Sequence, residues 1–221
     1  MWKVLPKLGL IKVLAFLFSI LLLSVVITLL GDANFSVDLS KDNIFQVAAY
    51  SGGASLLFLF IVWLLAKRGW QWIWRIPYVG DILNKNVCPD LNGKWEGSIS
   101  SNFKDESGSS ITKSVEMVIK ADFIGFDIHL KSKDNYQRST VVQSEIYKDV
   151  RDGVFYMSYV FESVVDQPQV TDDSKFDGAA KLAVRFDGSD LNLVGTYWTN
   201  RAWQRGDNTA GKIYLSRVGS K

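Results

Sequence analysis

Between residues 195 and 217 the chain concentrates side chains that stack on flat rings and bind phosphate. The run Gly195-Thr196-Tyr197-Trp198-Thr199-Asn200-Arg201-Ala202-Trp203-Gln204-Arg205 is followed by Asn208-Thr209-Ala210-Gly211-Lys212-Ile213-Tyr214-Leu215-Ser216-Arg217. Guanidinium groups match phosphate oxygens in pairs, and aromatic faces stack on bases of any kind. Side chains of an extended segment alternate, so Tyr197, Thr199, Arg201 and Trp203 share one face, with Trp198 and Asn200 on the other. The candidate ligand-binding set is therefore that first face plus Asn200, with Arg205, Thr209 and Lys212 in a second tier. A hairpin with surface aromatics would use the same residues, and residue content alone does not separate the two.

A second pattern is Asp90-Leu91-Asn92-Gly93-Lys94-Trp95-Glu96-Gly97. Glycine before Trp95 permits a tight backbone approach, and the indole can plug one end of a barrel. With Arg217 on the last strand, the pattern is similar to the lipocalin plan of an arginine stacked on that tryptophan. The expected role of Trp95 and Arg217 is structural, closing the barrel by cation–π packing.

Other chemistries lack their residues. One Cys (Cys88) and one His (His129) provide no zinc-ligand spacing and no intramolecular disulfide. His129 falls on the polar side of the alternation Phe126, Asp127, Ile128, His129, Leu130, which reads as an exposed position. There is no nucleophile elbow, P-loop or dinucleotide fingerprint. Carboxylates are plentiful but form no recognisable acid–base pair, so no catalytic residue, metal or cofactor is expected, and a scaffold or an enzyme of another type stays as a further alternative.

The elements that must position these residues are short strands. Candidate strands are Lys94–Ser100, Lys113–Lys120, Ile124–Lys131, Thr140–Tyr147, Val154–Glu162, Ala179–Phe186, Leu191–Thr196 extended into 197–200, and Ala210–Arg217. Asp152-Gly153 and Asp187-Gly188 are tight-hairpin signals between them. Eight antiparallel strands in this length predict a small up-and-down β-barrel. Its interior is either filled by side chains or holds one small ligand.

Two apolar segments precede the strands. Val13–Leu30 and Ile44–Ala66 carry no charge and are each long enough to cross about 30 Å of hydrocarbon as a helix. Lys3, Lys7 and Lys12 precede the first, Lys67, Arg68 and Arg75 follow the second, and the connector holds Asp32, Asp38, Asp42 and Lys41. The positive-inside rule places both termini in the cytoplasm. Trp70, Trp72, Trp74 and Tyr78 read as an interfacial belt on a short amphipathic segment. The pairs Ala48/Gly52, Ala49/Gly53 and Ser51/Ser55 allow close helix approach, within the chain or between chains. The expected organisation is a membrane anchor over residues 1–80 and a cytosolic ligand-sensing barrel over residues 81–221. The fold class is membrane plus all-β.

The two N-terminal membrane helices, the D-L-N-G-x-W-x-G opening and the closing G-T-Y-x-T-N-R…G-x-I-x-L-x-R hairpin resemble the two-transmembrane β-barrel effectors of bacterial CBASS anti-phage systems. The resemblance implies that the barrel binds a cyclic dinucleotide made by a partner nucleotidyltransferase. It implies that binding drives self-association and that the helices disrupt the inner membrane, killing the infected cell. The implied partners are the nucleotide, the lipid bilayer and further copies of the chain, with no DNA or RNA. An effector of this kind is expected to have a packed barrel and a charged external or interfacial site. The alternative, a membrane-tethered, lipocalin-like binder of an apolar ligand, predicts a wide apolar cavity.

Overall fold

The computed structural model describes residues 7–31, 41–104, 108–122, 125–168, 173–187 and 190–219. The expectations for Lys3, Asp32, Asp38, Ile124 and Gly188 lie outside them. Helices α1 (Lys7–Gly31) and α2 (Lys41–Leu64) are followed by one π-helical turn, Leu65–Gly69, and by two short helices, α3 (Trp70–Trp74) and α4 (Val79–Asn86). Eight strands follow: β1 (Gly93–Lys104), β2 (Ser110–Ala121), β3 (Phe126–Ser132), β4 (Gln137–Lys148), β5 (Phe155–Val165), β6 (Lys175–Asp187), β7 (Asp190–Thr199) and β8 (Ala210–Arg217). Neighbours pair antiparallel in chain order, and β8 pairs with β1, so the sheet closes as an eight-stranded barrel. Closure leaves no exposed sheet edge, which a small free-standing sheet would otherwise present.

Helices α1 and α2 are long and apolar enough to cross a membrane. Among the described side chains of the stretches Ile11–Thr28 and Ala48–Lys67 almost none is buried, unlike those of a soluble core helix. They touch through Phe18 and Phe58, whose rings lie 5.1 Å apart. A Cβ added at Gly52 or Gly53 would meet nothing within 4 Å, so α1 does not pack on these two glycines.

The barrel core follows the period of two. Val115, Met117 and Ile119 of β2 point inward, as do Met157 and Tyr159 of β5 and Leu193 of β7. A bulge between Val141 and Gln143 breaks the alternation in β4 and turns Val142 outward. At the end nearest the helices the core is dense. Trp95 and Leu91 are fully buried, and Trp70 and Trp74 pack against the same cluster, so of the four residues expected in an interfacial belt only Trp72 and Tyr78 are exposed. Trp74 Nε1 donates to the Cys88 carbonyl at 2.8 Å, joining α3 to the entry of the barrel. Helix α4 is only eight residues long, too short to show a clear apolar period in the sequence. It packs through Gly80, where any side chain would strike the Trp74 carbonyl.

A cavity at the free end of the barrel

The D-L-N-G-x-W stretch forms the seal of the helix-side end. Asp90 Oδ1 accepts from Asn92 N at 3.0 Å, and Asn92 Oδ1 accepts from Ala121 N at 2.6 Å. Trp95 Nε1 donates to the Leu91 carbonyl at 3.0 Å. Arg217 pairs across the strands with Trp95, lies 5.9 Å from its ring centre and donates to the Asn92 carbonyl. Gly93 has φ +133, a backbone region open to glycine, and faces the Arg217 guanidinium.

The opposite end is hollow. A cavity of about 620 Å³ is lined by residues of every strand, within the range of about 300–1,000 Å³ for small-molecule sites. The expectation of a barrel filled throughout is therefore corrected. Ser101, Ser132, Ser139, Ser163 and Thr199 are small polar residues at this end, where the opposite end carries Trp, Met, Ile and Leu. Gly178 lets the Phe161 ring lie flat against β6, since a side chain there would strike it.

The wall is divided in chemistry. Val115, Ile128, Leu130, Val141, Phe161 and Ile213 make an apolar part. Lys113, Arg201 and Arg205 are the cations among the described lining residues, accompanied by Tyr136, Tyr197 and Phe176. Each cation has a partner carried on a connecting loop. Lys113 Nζ lies 2.5 Å from Asp134 Oδ2 and 5.2 Å from the Tyr136 ring centre. Arg201 Nη2 donates to the Tyr136 hydroxyl at 3.0 Å, and its guanidinium lies 5.4 Å from the Phe176 ring centre. Arg205 lies 3.8 Å from Asp173, whose other oxygen accepts from Ala202 N at 2.6 Å. The hydrogen bond from Lys113 holds the Asp134 carboxyl at a pKa of about 2. Burial pushes the Tyr159 and Tyr197 hydroxyls above the usual phenol range. Ser139 and Ser163 share a hydrogen bond at 2.5 Å, with Gln137 Nε2 3.1 Å from Ser163 Oγ.

The eight residues expected to bind ligand divide into two groups. Tyr197, Thr199, Arg201, Arg205 and Thr209 line the cavity. Asn200, Trp203 and Lys212 do not. Asn200 Oδ1 accepts from Asp177 N at 2.7 Å, latching the end of β7 to β6. Trp203 sits in a 3₁₀ turn and is 64% exposed. The alternation that grouped Trp203 with Arg201 stops at Thr199, where the strand ends and Ala202 turns at φ 52. Lys212 projects from the outer wall of β8. The expected face of β7 thus enters the barrel, but only as far as the strand continues.

Sequence reasoning missed Lys113, Tyr136, Gln137, Ser139 and Ser163. For Lys113 a signal was present. It is in phase with Ile111, Val115, Met117 and Ile119, and a charge on an inward face of a strand marks a polar interior. Tyr136 belongs to a turn, which carries no periodicity. His129 lies on the outside, its Nε2 3.1 Å from Asp127.

Residues 86–217 match the family "Cap15, cyclic dinucleotide receptor domain". The chain is similar to CD-NTase-associated protein 15 of Escherichia albertii, at 40% identity over 149 residues, which is 66% of this chain and 71% of that protein. The matched region runs from the end of α4 to the last residue of β8 and so contains the whole barrel, its seal and its cavity. The chain belongs to the Cap15 family of CBASS effectors and carries that family's cyclic dinucleotide receptor domain.

Proposed function

We propose that the cavity at the free end of the barrel is where this chain takes up its cyclic dinucleotide. The observation that carries the reading is the pairing of three cations with aromatic walls around one 620 Å³ cavity. A cyclic dinucleotide presents two phosphates and two bases, so it calls for both kinds of side chain at once. Tyr197, Thr199, Arg201, Arg205 and Thr209 are its proposed contacts, joined by Lys113 and Tyr136. Trp95 and Arg217 keep the other end shut. Asn200, Trp203 and Lys212 support the loop and the outer wall. Because Lys113 and Arg205 already face Asp134 and Asp173, incoming phosphates would displace carboxylates on two loops. Binding would then rearrange the rim of the barrel.

In this reading α1 and α2 anchor the protein in the bacterial inner membrane. The basic residues after α2 hold the barrel and both termini in the cytoplasm. A ligand that binds the assembled form more tightly than the monomer drives self-association. The Gly52/Gly53 face, left open by α1, is available to a second copy. Assembly of the helices disrupts the bilayer and kills the infected cell.

The test is calorimetry of the full chain in lipid nanodiscs against a panel of cyclic dinucleotides. Binding of one member, lost on Arg201→Ala, is expected. Absence of binding across the panel by folded protein would overturn the receptor site. The apolar part of the wall favours a second reading, a lipocalin-like site for an apolar ligand, so fatty acids belong in the same panel.

A further inference from the structure

We infer that the barrel also rests on the lipid leaflet beside its spans, through an apolar foot built from the Tyr78–Ile82 segment and the tip of the β4–β5 turn at Val150. The inference rests on the reading of α1 and α2 as membrane spans and is independent of the ligand.

Large apolar side chains gather, unburied, at the helix-side end of the barrel. Tyr78 is 84% exposed, Ile82 61% and Val150 97%. Trp72, Ile73 and Ile76 are exposed beside them. These residues belong to two parts of the chain, and the structure joins the parts. Lys148 Nζ, two residues before Val150, donates to the Lys85 carbonyl at the end of α4 at 3.2 Å.

Tyr78 is held outward against its own backbone preference. Val79 N donates to the Pro77 carbonyl at 2.8 Å, closing a three-residue turn around Tyr78 at φ 66 and ψ −47. This is the rare, positive-φ form of the γ-turn. Such a conformation persists only where the surroundings impose it. Here Gly80 N bonds the Ile76 carbonyl at 2.7 Å, and Gly80 is pressed on the Trp74 carbonyl. The conformation gains no protein contact for the ring. A tyrosine ring projected from the end of a span is placed instead for the headgroup layer, where an apolar body and a polar tip are both satisfied.

Two observations identify the occupant as lipid. The first is continuity. One π-helical turn of five residues separates α2 from α3, and the exposed Trp72, Ile73 and Ile76 carry apolar surface from the end of the span to Tyr78. The second is charge. Arg75, Lys85 and Lys148 border the apolar residues and Asp81 and Asp152 lie among them, so the balance is basic by one charge, of the sign an anionic leaflet attracts. Arg151 contributes little, because Asp149 already holds it at 2.8 Å. The foot would set the barrel upright, with its cavity facing away from the bilayer.

The experiment uses the full chain in liposomes of phosphatidylethanolamine and phosphatidylglycerol. Single nitroxide labels are introduced by Tyr78→Cys, Ile82→Cys or Val150→Cys. Leu57→Cys reports the span, and Val142→Cys reports the outer wall. The native Cys88 resists labelling, since it is fully buried and burial raises its thiol pKa to about 12. Collisions with oxygen, which favours lipid, and with a water-soluble nickel chelate are measured for each. Labels at Ile82 and Val150 should show severalfold fewer chelate collisions and more oxygen collisions than the label at Val142. Equal accessibility at Val150 and Val142 would overturn the foot. So would loss of both collision types, which marks a protein contact. A label at Leu57 that meets water would instead overturn the span reading.

Discussion

Lys113 reaches 2.5 Å from Asp134, so a cation on an inward face of β2 is neutralised by a carboxylate on the neighbouring β3–β4 turn. The pair occupies the rim of the cavity, where a dianionic ligand would need the cation alone. Asp134→Asn keeps the acceptor for Tyr136 N and removes the competing charge. The variant is expected to bind cyclic dinucleotide more tightly, by up to about fivefold, the factor that corresponds to the upper end of an exposed ion pair. Calorimetry of variant and parent in nanodiscs measures it. Weaker binding would mean that Asp134 organises the site.

Arg201 touches Tyr136 and Phe176 and stands at the point where β7 leaves the wall. Arg201→Ala should weaken binding by about 10- to 100-fold, as for loss of a charged hydrogen bond of about 1.5–3 kcal/mol. Lys212→Ala and Trp203→Ala should leave binding within a factor of two, because both side chains point away from the cavity. A large loss at Lys212 would move the site to the outer wall.

Trp95→Ala would empty the sealed end. A fully buried tryptophan replaced by alanine costs about 3–5 kcal/mol. Arg217→Lys keeps the charge but loses the planar stack, and should cost less. Denaturant unfolding of the detergent-solubilised chain, followed by tryptophan fluorescence, compares the two.

Gly52→Leu and Gly53→Leu fill space that α1 leaves open. Neither should alter the barrel, as judged by circular dichroism. Ligand-dependent cross-linking in liposomes should fall if copies meet through this face. Undiminished cross-linking would place the contact elsewhere.

The cavity charge should hold steady between pH 5 and 8. Asp134 has its pKa lowered to about 2 by Lys113, so its contribution to stability is complete above the unfolded value of about 3.9 and fades as pH falls through about 2. The sole histidine lies on the outer wall. Binding titrations at pH 5, 6, 7 and 8 should give one affinity within a factor of two. A drop across this range would implicate a group outside the rim.

The sequence by itself determined the eight strands, the two apolar helices and the order in which they follow. Strands alternate with a period of two and spans are uncharged over about 20 residues, and both signals are local. It also determined that Tyr197 and Thr199 share a face, because that follows from the pleat. Only the tertiary structure decided that this face looks into a cavity, since strand closure from β8 to β1 chooses inside from outside. It alone brought Lys113 and Tyr136 to Arg201 and parted Trp203 from it. Lys113 and Arg201 are 88 positions apart, and the turn at Ala202 ends the alternation that sequence reasoning extends. The hollow end arose the same way. Serines scattered over β1, β3 and β4 are unremarked one by one, and leave a volume only when the barrel sets them on one level.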